Sequence, residues 1–306
     1  MADPGYDRLE IMSGMRVLDV DERGRLLVAV TDGDHGQLAE IDAKGTRREL
    51  CAAPGLTTAR YLPGERKIVV QHGSPAQLAL LRVGGELTPV VGSPDHASEL
   101  LGVLPGRIVY RANRRHRLLF TVLIRNVLVG EEQAVYDRGG SVIDAAVSRN
   151  SRHIAVRLPR KLVLVDTMPV TEDDHVRLIT AEPTDLGHRA PHWLPDSNRF
   201  VATDYRADSA QFTRYDVLSQ EWEPLITDLS PTAKTATAPD GRRTAVVDQG
   251  EISFHQTENG RFLRSITAPA DGLLWSPNSD TLVVTTEDEA VIIAADSATV
   301  TGKIPL

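Results

Sequence analysis

Three observations predict an all-β fold for this 306-residue chain. It is made of short β-prone runs bounded by turn residues, it has hardly any helical period, and one polar turn recurs along its whole length. The turn carries Pro, Gly or Ser and often a basic residue. It reads Glu22-Arg23-Gly24-Arg25, Pro63-Gly64-Glu65-Arg66, Pro105-Gly106-Arg107, Arg149-Asn150-Ser151-Arg152, Pro195-Asp196-Ser197-Asn198-Arg199, Pro239-Asp240-Gly241-Arg242 and Pro277-Asn278-Ser279-Asp280. With the small residue as anchor, the copies fall at 24, 64, 106, 151, 197, 241 and 279, in steps of 40, 42, 45, 46, 44 and 38 residues.

Each copy repeats one internal order. A short apolar strand precedes the turn, as at 16–19, 144–147 and 273–275. A β-rich run follows it, at 26–30, 67–71, 108–111, 153–157, 200–203, 244–247 and 281–285. A third strand comes next, at 38–41, 78–81, 119–124, 162–165, 212–215, 252–255 and 291–295, followed in four copies by Asp42, Asp166, Asp216 or Asp296. Aspartate suits that place because its carboxylate accepts from backbone N–H groups two residues on and so holds a turn. A more polar fourth strand closes the unit, as at 47–50, 176–179 and 261–266. Four antiparallel strands every 40 to 45 residues or so describe one blade, and seven blades from about residue 14 to 306 describe a single-domain, seven-bladed β-propeller. The second and third strands are packed on both faces, so they read as near-continuous apolar runs. Residues 1–13 fall outside the count, and 8–12 are expected to add an edge strand that latches the ring.

Composition narrows function by exclusion. The hydrophobic share of 41% is that of a folded chain. A single Cys51 excludes a disulfide framework and a cysteine-based zinc cluster. No run approaches the apolar length of a membrane span, and MADPGYDRLEIM lacks a secretory pattern, so a cytoplasmic protein with no membrane partner is expected. The net charge of -8 argues against nucleic acid as a partner. Arg outnumbers Lys 29 to 5, the usage of a GC-rich, bacterial genome.

The SPDG-like turns resemble those of TolB-like and WD-like propellers, without the Gly-His and Trp-Asp signatures of true WD repeats. The runs RVLDVDERGRLLV, ARYLPGERKIVV, LLGVLPGRIVYRANRR, VYDRGG, AAVSRNSRHIAV, HWLPDSNRFV and RYDVLSQEW resemble, in order, the N-terminal propeller of bacterial prolyl-oligopeptidase-type serine peptidases. The resemblance implies a funnel that admits or holds a ligand. It does not imply peptidase activity, because the sequence holds no G-x-S-x-G elbow and ends where those peptidases continue into an α/β-hydrolase domain.

Candidate residues follow from placement. The turns joining second to third strands should share one face. Blades 3 and 4 supply it with Arg111, Arg114, Arg115, His116, Arg157, Arg160 and Lys161, whereas blades 6 and 7 supply Asp248, Glu287, Asp288 and Glu289. Arg111, Arg114, His116, Arg157 and Arg206 are therefore expected to bind an anionic ligand at the mouth of blades 3 to 5, because a guanidinium grips planar anions with a fixed fork. Ion pairing across the rim is the alternative. Blade 5 brings His188, His192, Trp193, Asp204, Tyr205 and Arg206. His192, Asp204 and Tyr205 are the candidates for catalysis and Trp193 for an apolar wall, while structural roles remain open for all four: a His–Asp hydrogen-bond network, and core packing for Trp193 and its equivalent Trp275. No metal site and no cofactor are expected. The leading expectation is a binding scaffold for a small anionic molecule, a peptide or a partner protein. The alternative is a lyase, isomerase or cyclase at the mouth of the central channel.

Overall fold

The computed structural model describes residues 14–32, 35–82, 86–138, 140–159, 161–168, 175–179, 187–188 and 191–306. The expected edge strand at 8–12 and Arg160 lie outside the described residues. Seven antiparallel sheets follow one another along the chain. Blade 1 holds β1 (Gly14–Val20), β2 (Leu26–Asp32), β3 (His35–Ile41) and β4 (Arg47–Ala52); blade 2 holds β5 (Thr58–Tyr61), β6 (Lys67–His72), β7 (Gln77–Arg82) and β8 (Leu87–Val91). Blade 3 holds β9 (Ser98–Leu104), β10 (Arg107–His116), β11 (Leu119–Asn126) and β12 (Glu132–Tyr136); blade 4 holds β13 (Asp144–Val147), β14 (His153–Leu158), β15 (Lys161–Asp166) and β16 (Val176–Leu178). Blade 5 has its first strand in two pieces, β17 (Gly187–His188) and β18 (His192–Trp193), both paired with β19 (Arg199–Tyr205), then β20 (Ala210–Asp216) and β21 (Glu221–Leu229). Blade 6 holds β22 (Lys234–Thr237), β23 (Arg243–Asp248), β24 (Glu251–Gln256) and β25 (Phe262–Thr267); blade 7 holds β26 (Gly272–Trp275), β27 (Thr281–Thr285), β28 (Glu289–Ala294) and β29 (Thr299–Pro305).

The recurring turn has a conformational cause. All seven anchors have positive φ: Gly24, Gly64, Gly106 and Gly241 between 67° and 74°, and Ser151, Ser197 and Ser279 between 61° and 65°. The left-handed region favours residues with little or no side chain, which fixes the small residue in every copy. Three of the four aspartates after the third strands act as expected, while Asp296 pairs with Arg243 at 2.5 Å. Asp42 Oδ1 accepts from the N–H of Lys44 at 2.9 Å, Asp166 Oδ1 from Met168 at 2.9 Å and Asp216 Oδ1 from Leu218 at 2.8 Å.

The core sits between blades. Its buried apolar residues form seven clusters, one at each seam of the ring. Strand alternation feeds both seams of a blade. Ile68 and Val70 of β6 pack toward blade 1, and Val69 between them packs toward blade 3. Each such buried Val, Leu or Ile contributes about 1.5–3 kcal/mol of transfer free energy. The last seam joins Val283, Ala290 and Ile304 of blade 7 to Val20, Leu26, Val28, Ala39 and Ile41 of blade 1, and Asn278 Nδ2 donates across it to the Glu22 carbonyl at 3.4 Å.

Blade 3 departs from expectation. The second strand is expected over 108–111, yet β10 runs on to His116 and returns directly into β11. An irregularity between Ala112 and His116 lets the ladder resume beyond the blade edge, held by Asn113 Nδ2 donating to the Arg117 carbonyl at 3.1 Å.

Candidate functional site

The first strands of the blades line the ring's centre, and side chains on these and on the adjoining second strands tie neighbouring blades together. Arg16 Nη2 of β1 donates to the Thr57 carbonyl at 2.5 Å, Gln71 Oε1 accepts from the Leu100 N–H at 2.6 Å, and Thr203 and Thr235 share a hydroxyl hydrogen bond at 2.6 Å. Lys234 Nζ donates to the Asp271 carbonyl at 2.7 Å.

Blades 2 to 4 form a charged half of this centre. Arg60 on β5 donates to the Leu18 carbonyl at 2.8 Å and pairs with Asp19 at 3.3 Å. Arg111 on β10 pairs with Glu99, its register partner on β9, and also donates to the Val142 carbonyl at the entry to blade 4. Arg157 on β14 stands opposite Asp144 on β13 in the same register relation. Burial pushes the Asp144 carboxyl up from the ordinary aspartate range, while the guanidinium groups of Arg157, Arg111 and Arg60 pull it back. Arg111, bonded to the Val142 carbonyl, and Arg157 are thus brought together beside Asp144, whereas Arg60, which sequence reasoning missed, is held at the seam of blades 1 and 2. A signal for the paired acids was present. Glu99 and Asp144 each lie seven residues before their anchor, Gly106 and Ser151.

The other cationic candidates do not converge with these. Arg114 reaches outward to Glu132 on the outermost strand, at 2.6 Å, and to the Tyr110 hydroxyl at 2.8 Å. His116 is exposed, and its Nδ1 accepts from the Leu118 N–H at 3.2 Å. Arg206 is exposed and lies 3.5 Å from Asp204 in blade 5.

His192, Asp204 and Tyr205 do not form one constellation. His192 is paired with Val201, three residues from Asp204 on β19, so the two side chains leave opposite faces of the sheet. The buried Asp204 Oδ2 accepts from Gln211 Nε2 at 3.3 Å, and its Oδ1 has no hydrogen-bond partner among the described residues. The buried Tyr205 hydroxyl donates to the Ala233 carbonyl at 2.6 Å and ties blade 5 to blade 6. Trp193 is buried, and its Nε1 donates to the Ala146 carbonyl of blade 4 at 2.9 Å. Trp275 repeats that bond onto Ala236 of blade 6 at 2.9 Å.

Blades 5 to 7 form a less polar half. A cavity of about 290 Å³ opens there between first strands, lined by His192, Thr235, Thr237, Leu273, Leu274 and Trp275 among others. The His192 side chain makes no hydrogen bond among the described residues, and burial pushes its pKa down to about 4, so its imidazole is neutral near pH 7. Among the described residues no three His, Cys, Asp or Glu side chains are grouped to hold a metal ion.

No family model and no curated protein matches the chain. Solved structures do. One is an oligogalacturonate lyase in complex with manganese, with TM-score 0.67 and 12% identity over 88% of this chain and 85% of that one. A second is a prolyl endopeptidase, with TM-score 0.66 and 12% identity, covering 97% of this chain and 50% of that one. A third is a putative TolB from Agrobacterium tumefaciens, with TM-score 0.50 and 15% identity over 71% and 83%. What is shared is the fold. The propeller resembles that of prolyl endopeptidases and TolB, as the segment resemblance implied, and it spans half of the endopeptidase's length.

Proposed function

We propose that this propeller is a binding module whose ligand enters the channel with an anionic group toward blades 2 to 4 and an apolar body toward blades 5 to 7. One observation carries the reading: Arg111, bonded to the Val142 carbonyl, and Arg157, the register partner of Asp144, flank Asp144 on one side of the centre, and a largely apolar cavity lined by His192 opens on the other. A small carboxylate or a peptide fits both halves. The carboxylate is drawn by the positive charge of the arginines, and an N–H or O–H of the body donates to His192. No dyad or triad among the described residues supports a catalytic step, because His192 and Asp204 leave opposite faces of their sheet and the Tyr205 hydroxyl is committed to the Ala233 carbonyl.

A second reading, a lyase, isomerase or cyclase working at the same mouth, is favoured by the fold likeness to an oligogalacturonate lyase over most of both chains. An oligogalacturonate is itself a polycarboxylate, so one experiment separates the two. Calorimetric titration with carboxylate-bearing peptides and with oligogalacturonates is expected to show binding whose affinity falls roughly tenfold or more in Arg157→Ala, without release of unsaturated sugar ends. Turnover would establish the enzyme reading, and the absence of any binding in either panel would remove the first.

A further inference from the structure

The face that carries the second-to-third-strand turns is electrically divided, and its two poles differ in shape. At blade 3, β10 is ten residues long where β14 and β23 have six. Counted from its anchor turn, β10 ends three residues further on than β14 and β23 do, so its hairpin with β11 reaches about 10 Å beyond theirs, at about 3.3 Å per residue. Its tip is cationic and apolar together. Arg115 is 77% exposed and lies 4.0 Å from Asp137. Arg117 is exposed, and Leu118 and Leu119 are 61% and 45% exposed. Ile143, 39% exposed, lies on the same face where blade 4 begins. Among the described residues these three are the large exposed hydrophobics of that face; the others occupy third-to-fourth-strand turns or outer strands.

At blade 7 the same face is hollow and acidic. A cleft of about 650 Å³ lies between the linker into β26 and the turn from β27 to β28, lined by Pro269, Asp271, Glu287, Asp288, Glu289 and Lys303 among others. Lys303 offsets Glu289 at 3.1 Å and Lys234 lies 3.9 Å from Asp271, whereas Glu287 and Asp288 are exposed and in no ion pair among the described residues. In a ring of seven, blades 3 and 7 stand almost across the diameter.

We propose that two copies of this chain pair face to face about a two-fold axis, the blade 3 hairpin of each seated in the blade 7 cleft of the other. A two-fold lying in the plane between the rings, aligned with blade 5, exchanges positions 3 and 7, so both contacts form in one closed dimer. Knob meets hollow, and positive meets negative, twice. The leucines at the tip are covered, and the prolines at the cleft edge provide apolar surface for them. Because the charges are exposed, the pairing is salt-sensitive.

Sedimentation equilibrium of the full chain at low and at high salt tests this. The expected result is a dimer at low salt whose dissociation constant rises with salt. Arg115→Glu with Arg117→Glu, and separately Glu287→Arg with Asp288→Arg, each raise that constant about a hundredfold or more, since like charges then face each other. Mixing the two variants in equal amounts restores a dimer, because in the mixed pair both contacts are again between opposite charges. Circular dichroism of each variant checks that the fold is kept. A wild-type chain that stays monomeric at low salt overturns the proposal and leaves the hairpin to an acidic partner of another kind. A dimer indifferent to both reversals, or a mixture that stays monomeric, overturns it as well.

Discussion

His192 shows how one side chain on the channel wall acquires a measurable pH signature. The residue is half-buried on the cavity wall, loss of solvent disfavours the charged imidazole, and its pKa falls to about 4. The unfolded chain takes up this proton near the ordinary histidine value of about 6.5, and the folded chain does not until about pH 4. The unfolded state therefore binds more protons throughout that window, and stability falls as pH drops through it. His153, whose pKa burial also lowers, acts in the same direction. Asp19 and Asp144, whose carboxyls burial raises, act in the opposite one. A subtractive comparison isolates His192: in His192→Gln the urea midpoint is expected to fall less between neutral pH and pH 4 than in the wild type. Parallel curves would mean that the imidazole is not held neutral by the fold.

At the scale of the element, the anchor turn is where sequence and structure correspond most directly. Gly64 and Gly241 share positive φ, 74° and 70°. They differ in surroundings. A Cβ on Gly64 meets nothing within 4 Å, whereas one on Gly241 meets Pro195 Cδ of the neighbouring turn at 2.5 Å. Gly64→Ala is expected to cost about 1–2 kcal/mol from backbone conformation alone. Gly241→Ala adds an overpacking cost of about 1–3 kcal/mol. Denaturant unfolding of the two variants measures the difference, and equal losses would show that the turns of blades 5 and 6 do not touch. The turn was legible in the sequence because its left-handed residue must be small and must recur. The strands were legible because their alternate residues feed two apolar seams. The site was not legible in the same way. Arg60 is bonded to Leu18 and Asp19, more than forty residues away in another blade, and no local pattern records such a contact. Arg111 and Arg114 are close in sequence, but one turns to the inner strand and the other to the outer, which spacing read as a single loop could not separate.

For the whole molecule, the ring places its tryptophans unevenly. All three act as hydrogen-bond struts between blades: Trp193 onto Ala146 and Trp222 onto Ile179 join blades 4 and 5, and Trp275 onto Ala236 joins blades 6 and 7. Blades 1 to 3 contain none. Ultraviolet emission from this protein is thus a local gauge of the second half of the ring, while far-ultraviolet dichroism samples every strand. Each blade is buried on both sides by its neighbours, so none is expected to persist once a seam parts, and the two optical signals should lose amplitude along one shared melting curve. An emission change that trails the dichroism would reveal blades 1 to 3 coming apart while the tryptophan-bearing arc still glows as in the folded state. The uneven placement of three indoles thereby equips the protein with a reporter of where its circle first breaks, with no label attached.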